Sequence, residues 1–215
     1  MKDVIAVSNL LIVESENDKF FIEALITHLN IDLQIDTPIC SIDEYDCIGG
    51  MGKLANRLEI LKGRIVEREE DISKAGIIFD ADNVGIETRE QQIKEKINTV
   101  FGDNPPIQFS IFIMNIDGKG ELETLLKAIK SNDSIIADCL DAWQQCIPKE
   151  KQLKAKDFDK QWIQIYQRYD CCNKKEKKQA ERKCNNEISL KEKQIYNFDA
   201  DIPELNALKD FLHNL

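Results

Sequence analysis

The sequence predicts an α/β protein with a short, mainly parallel sheet of about four strands flanked by helices, followed by a C-terminal helical extension. Short apolar runs alternate with amphipathic helical segments in the first part of the chain, and turn residues separate them. Beyond Glu121 the pattern is helical and contains no further strand. Because crossover helices join parallel strands, this alternation indicates a parallel sheet. We expect an α/β domain over residues 1–130 and a basic helical extension over residues 131–215, packed together as one compact unit.

The first two strand and helix pairs are predicted before residue 66. Residues 9–13 form a short apolar run bounded by polar residues, which is typical of a buried parallel strand. From Asn17 onward, apolar residues recur at helical spacing, and acids occupy the first turn, where the helix dipole favours them. Residues 45–48 predict a second strand that ends in the turn Gly49-Gly50, and a second amphipathic helix follows.

The same alternation continues to residue 114. Residues 75–79 predict a third strand, residues 87–101 a third amphipathic helix, and residues 109–114 a fourth strand after the breaker Pro105-Pro106. The later helical segments are predicted at residues 123–130, 134–147, 157–168 and 203–214. Pro203 suits the start of the last one, because proline lacks an N–H that this position would leave unpaired.

The composition indicates a globular protein outside the membrane. Hydrophobic residues make up 42% of the 215 residues and charged residues 32%, which does not fit a disordered chain. No run reaches the roughly 18 apolar residues that a membrane helix needs. Residues 1–9 include an acid and have too short an apolar run for a signal peptide. We expect a cytoplasmic protein.

The seven cysteines are an odd number without regular spacing. In a protein expected in the cytoplasm, most of them are predicted to be reduced thiols. Cys171, Cys172, Cys184 and His213 are a conceivable zinc-ligand set, but the sequence has no Cys-x-x-Cys pair, which structural zinc sites usually contain.

Charge is distributed unevenly along the chain. The net charge is −10, yet residues 149–193 contain 14 Lys and Arg against 8 Asp and Glu. A run of lysines is most often a solvated helix face. Alternatively, this lysine-rich segment forms a patch that contacts phosphates beside an acidic site. Its candidate nucleic-acid-binding residues are Lys174, Lys175, Lys177 and Lys178.

Acidic residues follow three of the predicted strands: Glu14, Glu16 and Asp18 follow the first, Asp80 and Asp82 the third, and Glu121 and Glu123 the fourth. The carboxyl ends of parallel strands share one edge of a sheet, where ligands bind. Carboxylates brought together there repel one another and resist ionisation unless a cation lies between them. Mg²⁺ and Mn²⁺ take oxygen ligands of this kind and often also hold substrate phosphates. One or two such ions are therefore the expected cofactor.

The residues around these acids resemble a known fold. Residues 11–18, the glycine pair 49–50, residues 77–82 and residues 120–126 are similar to the Toprim fold of topoisomerases, primases and certain nucleases. The similarity is closest to the small stand-alone Toprim-like proteins of bacteria and archaea, whose activity is unassigned. It covers roughly residues 9–126, and residues 205–212 also resemble that family's ending. Ser15 stands where the family usually has glycine.

The resemblance implies specific roles for the acids. The first Toprim motif supplies a glutamate, here Glu14, and the second a pair of aspartates, here Asp80 and Asp82. The spacing from Glu14 to Asp18 is similar to that of the overcoming-lysogenisation-defect nucleases. In those nucleases a further acid after the fourth strand, here Glu123, helps to hold a second metal. The implied metal ligands are Glu14, Asp18, Asp80, Asp82 and Glu123.

These inferences lead to the hypothesis of a Mg²⁺- or Mn²⁺-dependent nucleic-acid phosphodiester hydrolase, acting on DNA or RNA in DNA repair or anti-phage defence. Two ions roughly 4 Å apart would polarise the attacking and leaving oxygens. With one ion, Glu14 is the expected general base or acid. Lys119, in the loop beside the acids, is the candidate for stabilising charge on the phosphate, and Lys53 is the reserve candidate.

Two other interpretations stay open. The first is a non-catalytic or partner-activated regulatory module that binds nucleic acid, a protein partner or a second copy of the chain. The second is a haloacid-dehalogenase-like phosphatase in which Asp80 attacks phosphorus, although that motif normally opens its domain. A P-loop at residues 47–54 does not fit, because Cys47 and Leu54 stand where the motif needs glycine and Ser or Thr, and a tight strand-to-helix turn is the prediction there.

Overall fold

A computed structural model describes residues 8–40, 50–67 and 72–215, and it contains a four-stranded, fully parallel sheet. The strands are β1 (Ser8–Val13), β2 (Gln34–Ile35), β3 (Ile72–Asp80) and β4 (Gln108–Met114). Their spatial order is β2-β1-β3-β4. The predicted α/β class, with its short sheet flanked by helices, is confirmed.

The two central strands, β1 and β3, bury side chains on both faces of the sheet, because successive side chains of a strand point to opposite sides. Leu10 and Ile12 of β1 belong to one hydrophobic cluster, and Leu11 and Val13 belong to another. Two helices, α2 (Gly50–Val66) and α3 (Ile86–Phe101), supply the buried side chains opposite Leu10 and Ile12. The other face is covered by helices from both ends of the chain.

The helices of that other face are α1 (Glu16–Leu29), α4 (Leu122–Ala128), α5 (Ile135–Cys146), α6 (Ala155–Ile165), α8 (Asn186–Lys191) and α9 (Pro203–Asn214). The short helix α7 (Ala180–Lys183) precedes α8 and has no buried residue. Trp162 and Tyr166 are fully buried and stack with ring centroids 5.3 Å apart. They share a cluster with Leu11 and Val13 of the sheet. The helical extension after residue 130 is therefore packed into the same core as the α/β domain.

The second strand differs from the one expected. The predicted strand at residues 45–48 lies outside the described residues, and β2 is instead a two-residue strand whose Gln34 and Ile35 pair with Leu10 and Leu11. Gln34 is exposed, so β2 carries no apolar run that the sequence could reveal. No helix within the described ranges is long and apolar enough to cross a membrane.

A disulfide crosses the basic part of the extension. Cys172 and Cys184 are bonded, and Cys40 is also disulfide-bonded. Cys139, Cys146 and Cys171 carry free thiols. The conceivable zinc set is not formed, because the Cys172–Cys184 bond uses two of its four ligands. The expectation of mostly reduced thiols therefore fails for these three residues.

Candidate functional site

A cavity of about 480 Å³ opens at the carboxyl edge of the sheet. It is lined by all five predicted metal ligands, Glu14, Asp18, Asp80, Asp82 and Glu123, and by Glu121, Lys156 and Lys160. Glu14 follows β1, and Asp18 lies in the first turn of α1. Asp80 is the last residue of β3, and Asp82 follows it. Glu121 and Glu123 lie at the start of α4. The topology thus brings together the acids that are far apart in the sequence.

Glu14 is held by the start of α2. The Gly50 N–H donates to Glu14 Oε1 at 3.1 Å. Burial raises the pKa of Glu14, and the Gly50 hydrogen bond opposes this shift only in part. A Cβ at position 50 would lie 2.5 Å from Glu14 Cγ, so only glycine permits this close approach. The first residue of α2 therefore fixes the Glu14 carboxylate in the cavity at the carboxyl edge of the sheet.

Asp18 is buried in the first turn of α1, with 5% of its surface exposed. Its Oδ2 accepts hydrogen bonds from Ser15 N at 2.8 Å and from Ser15 Oγ at 2.7 Å, which forms a capping box. Burial nevertheless raises the pKa of Asp18 to about 7, since it outweighs both hydrogen bonds and the neighbouring Glu14 adds repulsion. Asp18 is therefore poised to gain or lose a proton near neutral pH.

Asp80 is the electrostatic centre of the cluster. Burial raises the pKa of Asp80 well above its ordinary value, and repulsion from Asp18, Glu14 and Glu123 raises it further. The same combination of burial and neighbouring charge is typical of functional carboxylates.

Asp82 is fixed by a turn and a buried arginine. Its backbone lies in the left-handed region at φ 49°, and its N–H donates to Gly120 O at 2.9 Å while Gly120 N donates back at 3.1 Å. These two bonds join the turn after β3 to the loop that precedes α4. Arg89 of α3 is ion-paired with the Asp82 carboxylate and donates to Asp80 O at 3.0 Å. Arg89 thus holds the backbone of Asp80 and the carboxylate of Asp82.

Glu121 and Glu123 begin α4 and are 4% and 9% exposed. Glu121 is the N-cap of α4, and its backbone N–H donates a hydrogen bond to Thr124 Oγ1 at 3.3 Å. Burial raises the pKa of Glu123, although Lys160 lowers it in part. Glu121 was noted in the sequence but not assigned as a ligand.

Lys156 and Lys160 of α6 also line the cavity, and the sequence did not single them out. Lys156 Nζ lies 2.9 Å from Glu121 Oε1 and 3.1 Å from Asp82 Oδ1, and Lys160 Nζ lies 3.2 Å from Glu121 Oε2. Partial burial works against the charge of Lys156, but Glu121 and Asp82 outweigh it and raise the pKa of Lys156 above its usual range. The basic excess of residues 149–193 is therefore partly explained as a counter-charge for the acids.

The donor chemistry suits a hard cation, but the carboxylates are not gathered around one point. Within the described part of the chain, no three His, Cys, Asp or Glu side chains form a group that could hold a metal ion. The Asp18 carboxylate accepts a hydrogen bond from the Ser15 hydroxyl, and the Glu14 carboxylate accepts one from the Gly50 N–H. The Asp82 carboxylate is ion-paired with Arg89 and Lys156. A cation could bind only after some of these contacts exchange for metal ligation.

The remaining predicted residues lie outside the cavity lining. Lys119 is exposed in the turn that Ile116 and Lys119 close, and Lys53 lines a separate pocket beside Pro38 and Arg57. Lys174, Lys175 and Lys178 are exposed on the extension. Lys177 is half-buried, and its Nζ donates to Tyr169 O at 2.9 Å.

The fold and the site together define an α/β protein with an acidic, lysine-covered cavity at the carboxyl edge of a parallel sheet. The chain belongs to the family described as "Protein of unknown function (DUF3226)", which matches residues 8–215. No curated protein and no solved structure matches the chain significantly.

Proposed function

We propose that the protein is a Mg²⁺- or Mn²⁺-dependent hydrolase of nucleic-acid phosphodiesters. The observation that carries this proposal is the convergence of six carboxylates and two lysines in one cavity at the carboxyl edge of the sheet. Carboxylates with raised pKa values supply cation ligands and proton acceptors, and lysines supply contacts for a phosphate. The transfer of a phosphoryl group is stabilised by positive charge at its oxygens, which bound cations and lysines can both supply.

The residues that would hold the cation are Glu14, Asp18, Asp80, Asp82 and Glu123. A bound Mg²⁺ or Mn²⁺ would supply positive charge to polarise a phosphoryl oxygen. The fit rests on the donor set, which is oxygen only, and on the repulsion that raises the pKa of Asp80. A cation at this point would relieve that repulsion.

The side chains of the chain itself would position the substrate and move the proton. Lys156 and Lys160, already paired with Glu121, are placed to exchange that carboxylate for a phosphate oxygen. We transfer to them the role that the sequence had suggested for Lys119 and Lys53. Glu14, whose carboxylate the Gly50 N–H holds in place, would accept the proton of the attacking water.

The Toprim resemblance supports the same proposal. Its departure at Ser15 carries no conformational cost, because Ser15 has an extended backbone at φ −129° that any residue can adopt. The Ser15 side chain also caps α1 and binds Asp18. Serine at this position therefore orders a proposed ligand, and it does not prevent the site from forming.

The test is a cleavage assay on labelled single- and double-stranded DNA and RNA, first with Mg²⁺ and then with Mn²⁺. Glu14→Gln and Asp80→Asn should abolish cleavage, while Asp32→Asn, an exposed acid outside the site, should leave it unchanged. Calorimetry should show that Asp80→Asn also removes Mn²⁺ binding without unfolding the protein. Mn²⁺ affinity that is unchanged in Asp80→Asn would refute the site assignment.

The second candidate is a non-catalytic or partner-activated regulatory module. The ion pairs of Lys156 and Lys160 favour it, because they already neutralise part of the acidic cluster without a metal. Absence of cleavage on every substrate, with Mn²⁺ still bound in an Asp80-dependent manner, would support this candidate. The phosphatase alternative is disfavoured, since its nucleophile motif normally opens the domain, whereas β1 and α1 with their own acids precede Asp80 here.

A further inference from the structure

The acidic cavity continues into a groove along the helical extension. A second cavity of about 430 Å³ shares Asn17, Gln164 and Asn186 with the acidic one. A third cavity, of about 520 Å³, shares Arg168, Ala180 and Glu181 with the second. These shared residues place the three cavities in series, and we call the whole series the extension groove.

The charge of the extension groove changes sign along its length. The inner cavity contains six carboxylates and two lysines. The outer cavity is lined by Arg168, Lys177, Lys178 and Arg182, with Glu181 as its one acid. Lys174 and Lys175 are not among its lining residues. A polyanion would therefore be held at the outer end and led toward the acids, where a cation or Lys156 and Lys160 would receive it.

The middle of the groove presents amide side chains together with Arg168, Glu181 and Glu187. Asn17 and Gln164 stand at the junction with the acidic cavity, and Asn186 is anchored there by the Gln167 amide, which donates to Asn186 Oδ1 at 2.7 Å. Amides both donate and accept hydrogen bonds, so they suit the edges of unpaired bases. Phe20 lines the same stretch, and Lys191 Nζ lies over its ring, 4.8 Å from the centroid.

The burial at the inner end limits what can enter. Asp18, Glu121 and Glu123 are at most 9% exposed, so a ligand must reach into the cavity to contact them. A base-paired duplex keeps its backbone on a broad cylinder, whereas a single strand can bend into a recess of this size.

We propose that the extension groove binds a single-stranded polynucleotide and guides one phosphodiester to the acidic cavity. This inference rests on the proposed function for what happens at the inner end, but strand binding itself does not depend on cleavage. Arg168, Lys177, Lys178 and Arg182 contact phosphates, and Asn17, Gln164 and Asn186 contact the nucleotides nearest the acids.

The experiment measures fluorescence anisotropy of labelled oligothymidylate, oligouridylate and a DNA duplex in EDTA, where cleavage is absent. We expect the single strands to bind more tightly than the duplex. The double variant Lys178→Gln, Arg182→Gln should weaken single-strand binding at least tenfold and reduce the salt slope by about 0.7 for each lost phosphate contact. The matched control Lys149→Gln, Lys151→Gln makes the same charge change at exposed positions outside the groove, and it should change affinity less than twofold.

A second pair of variants tests the junction without changing charge. Gln164→Trp should block the passage and weaken single-strand binding, whereas Gln161→Trp, exposed on the same helix but outside the groove, should not. Three results would each refute strand binding in the groove. They are equal weakening by the groove double variant and its control double variant, tighter binding of the duplex than of the single strands, and unchanged single-strand binding by Gln164→Trp. Groove-dependent binding by a protein that never cleaves would support the groove and refute only the proposed hydrolysis.

Discussion

Lys156 on α6 contacts Glu121 at the start of α4, with Nζ and Oε1 2.9 Å apart. Glu121 is 4% exposed, so its carboxylate depends on Lys156 and Lys160 for compensation of its charge. The two lysines belong to the helical extension, and Glu121 belongs to the α/β domain. This contact makes the extension part of the acidic site.

Lys156→Gln tests whether that lysine acts on the substrate. Under the proposed function the variant should fold, because Lys160 still pairs with Glu121, and cleavage should fall roughly 100-fold, as expected when one group that stabilises phosphate charge is removed. Single-turnover cleavage and thermal melting measure the two effects.

Lys149→Gln is the control for this variant, because Lys149 is exposed, lies seven residues before Lys156 and does not line the cavity. If the loss of cleavage in Lys156→Gln is fully explained by a lower melting temperature of that variant, Lys156 has a structural role only.

The sequence was sufficient to predict the elements that carry strong local patterns. The apolar runs of β1, β3 and β4 and the 3.6-residue periodicity of α1 and α3 lie within a few residues of their observed positions. The convergence of the acids followed from the rule for parallel sheets. The site residues could be listed because each acid directly follows a strand or opens a helix.

What the sequence could not reveal depends on contacts between distant residues. Gln34 and Ile35 form a strand only because Leu10 and Leu11 pair with them. Lys156 lies in a segment with many lysines, and nothing local distinguishes it from Lys154 or Lys151. Lys156 and Asp82 are 74 residues apart in the sequence, and their side chains meet only because α6 packs on α4. The sequence signal that existed was the opposite charge of the two regions.

Gly50→Ala tests the position of Glu14. The added methyl group would lie 2.7 Å from Glu14 Oε1, so the carboxylate must move away from the helix start. Displacement of a reacting group by about 1 Å costs on the order of 100-fold in rate, and we expect that loss in cleavage together with weaker Mn²⁺ binding. Steady-state kinetics and calorimetry measure both.

Gly52→Ala, in the same helix, is the matched control. No atom lies within 4 Å of a Cβ at position 52, so this variant should keep its activity and gain up to about 1 kcal/mol of stability. Equal activity of the two alanine variants would show that Glu14 does not need its observed position.

The pH dependence of stability tests the protonation of Asp18. In the folded protein the pKa of Asp18 is raised to about 7, whereas an unfolded aspartate ionises near pH 4. The folded state therefore binds the additional proton between these values, and the free energy of unfolding should fall as the pH rises from about 4 to about 7 and level off above. Melting temperatures of the EDTA-treated protein across this range should show the decline.

Asp18→Asn keeps an acceptor for the two Ser15 hydrogen bonds but removes the titrating proton. Its melting temperature should decline less steeply with pH than that of the unmodified protein. Asp80 also has a raised pKa, so part of the decline should persist. Parallel curves for the two proteins would contradict the assignment of the proton to Asp18.

The disulfide between Cys172 and Cys184 should stabilise the segment that carries the outer groove. The bond spans 12 residues, for which chain entropy predicts about 3 kcal/mol of stabilisation. Dithiothreitol should lower the melting temperature of the unmodified protein and weaken its binding of single strands, because Lys177, Lys178 and Arg182 lie within the closed loop.

Reduction also affects Cys40, so a variant must isolate the effect of the Cys172–Cys184 bond. In Cys172→Ser, Cys184→Ser the oxidised protein should already bind weakly, and dithiothreitol should leave its single-strand affinity unchanged. Strand affinity that is equal in the oxidised unmodified protein and the double variant would show that the outer groove forms without the bond.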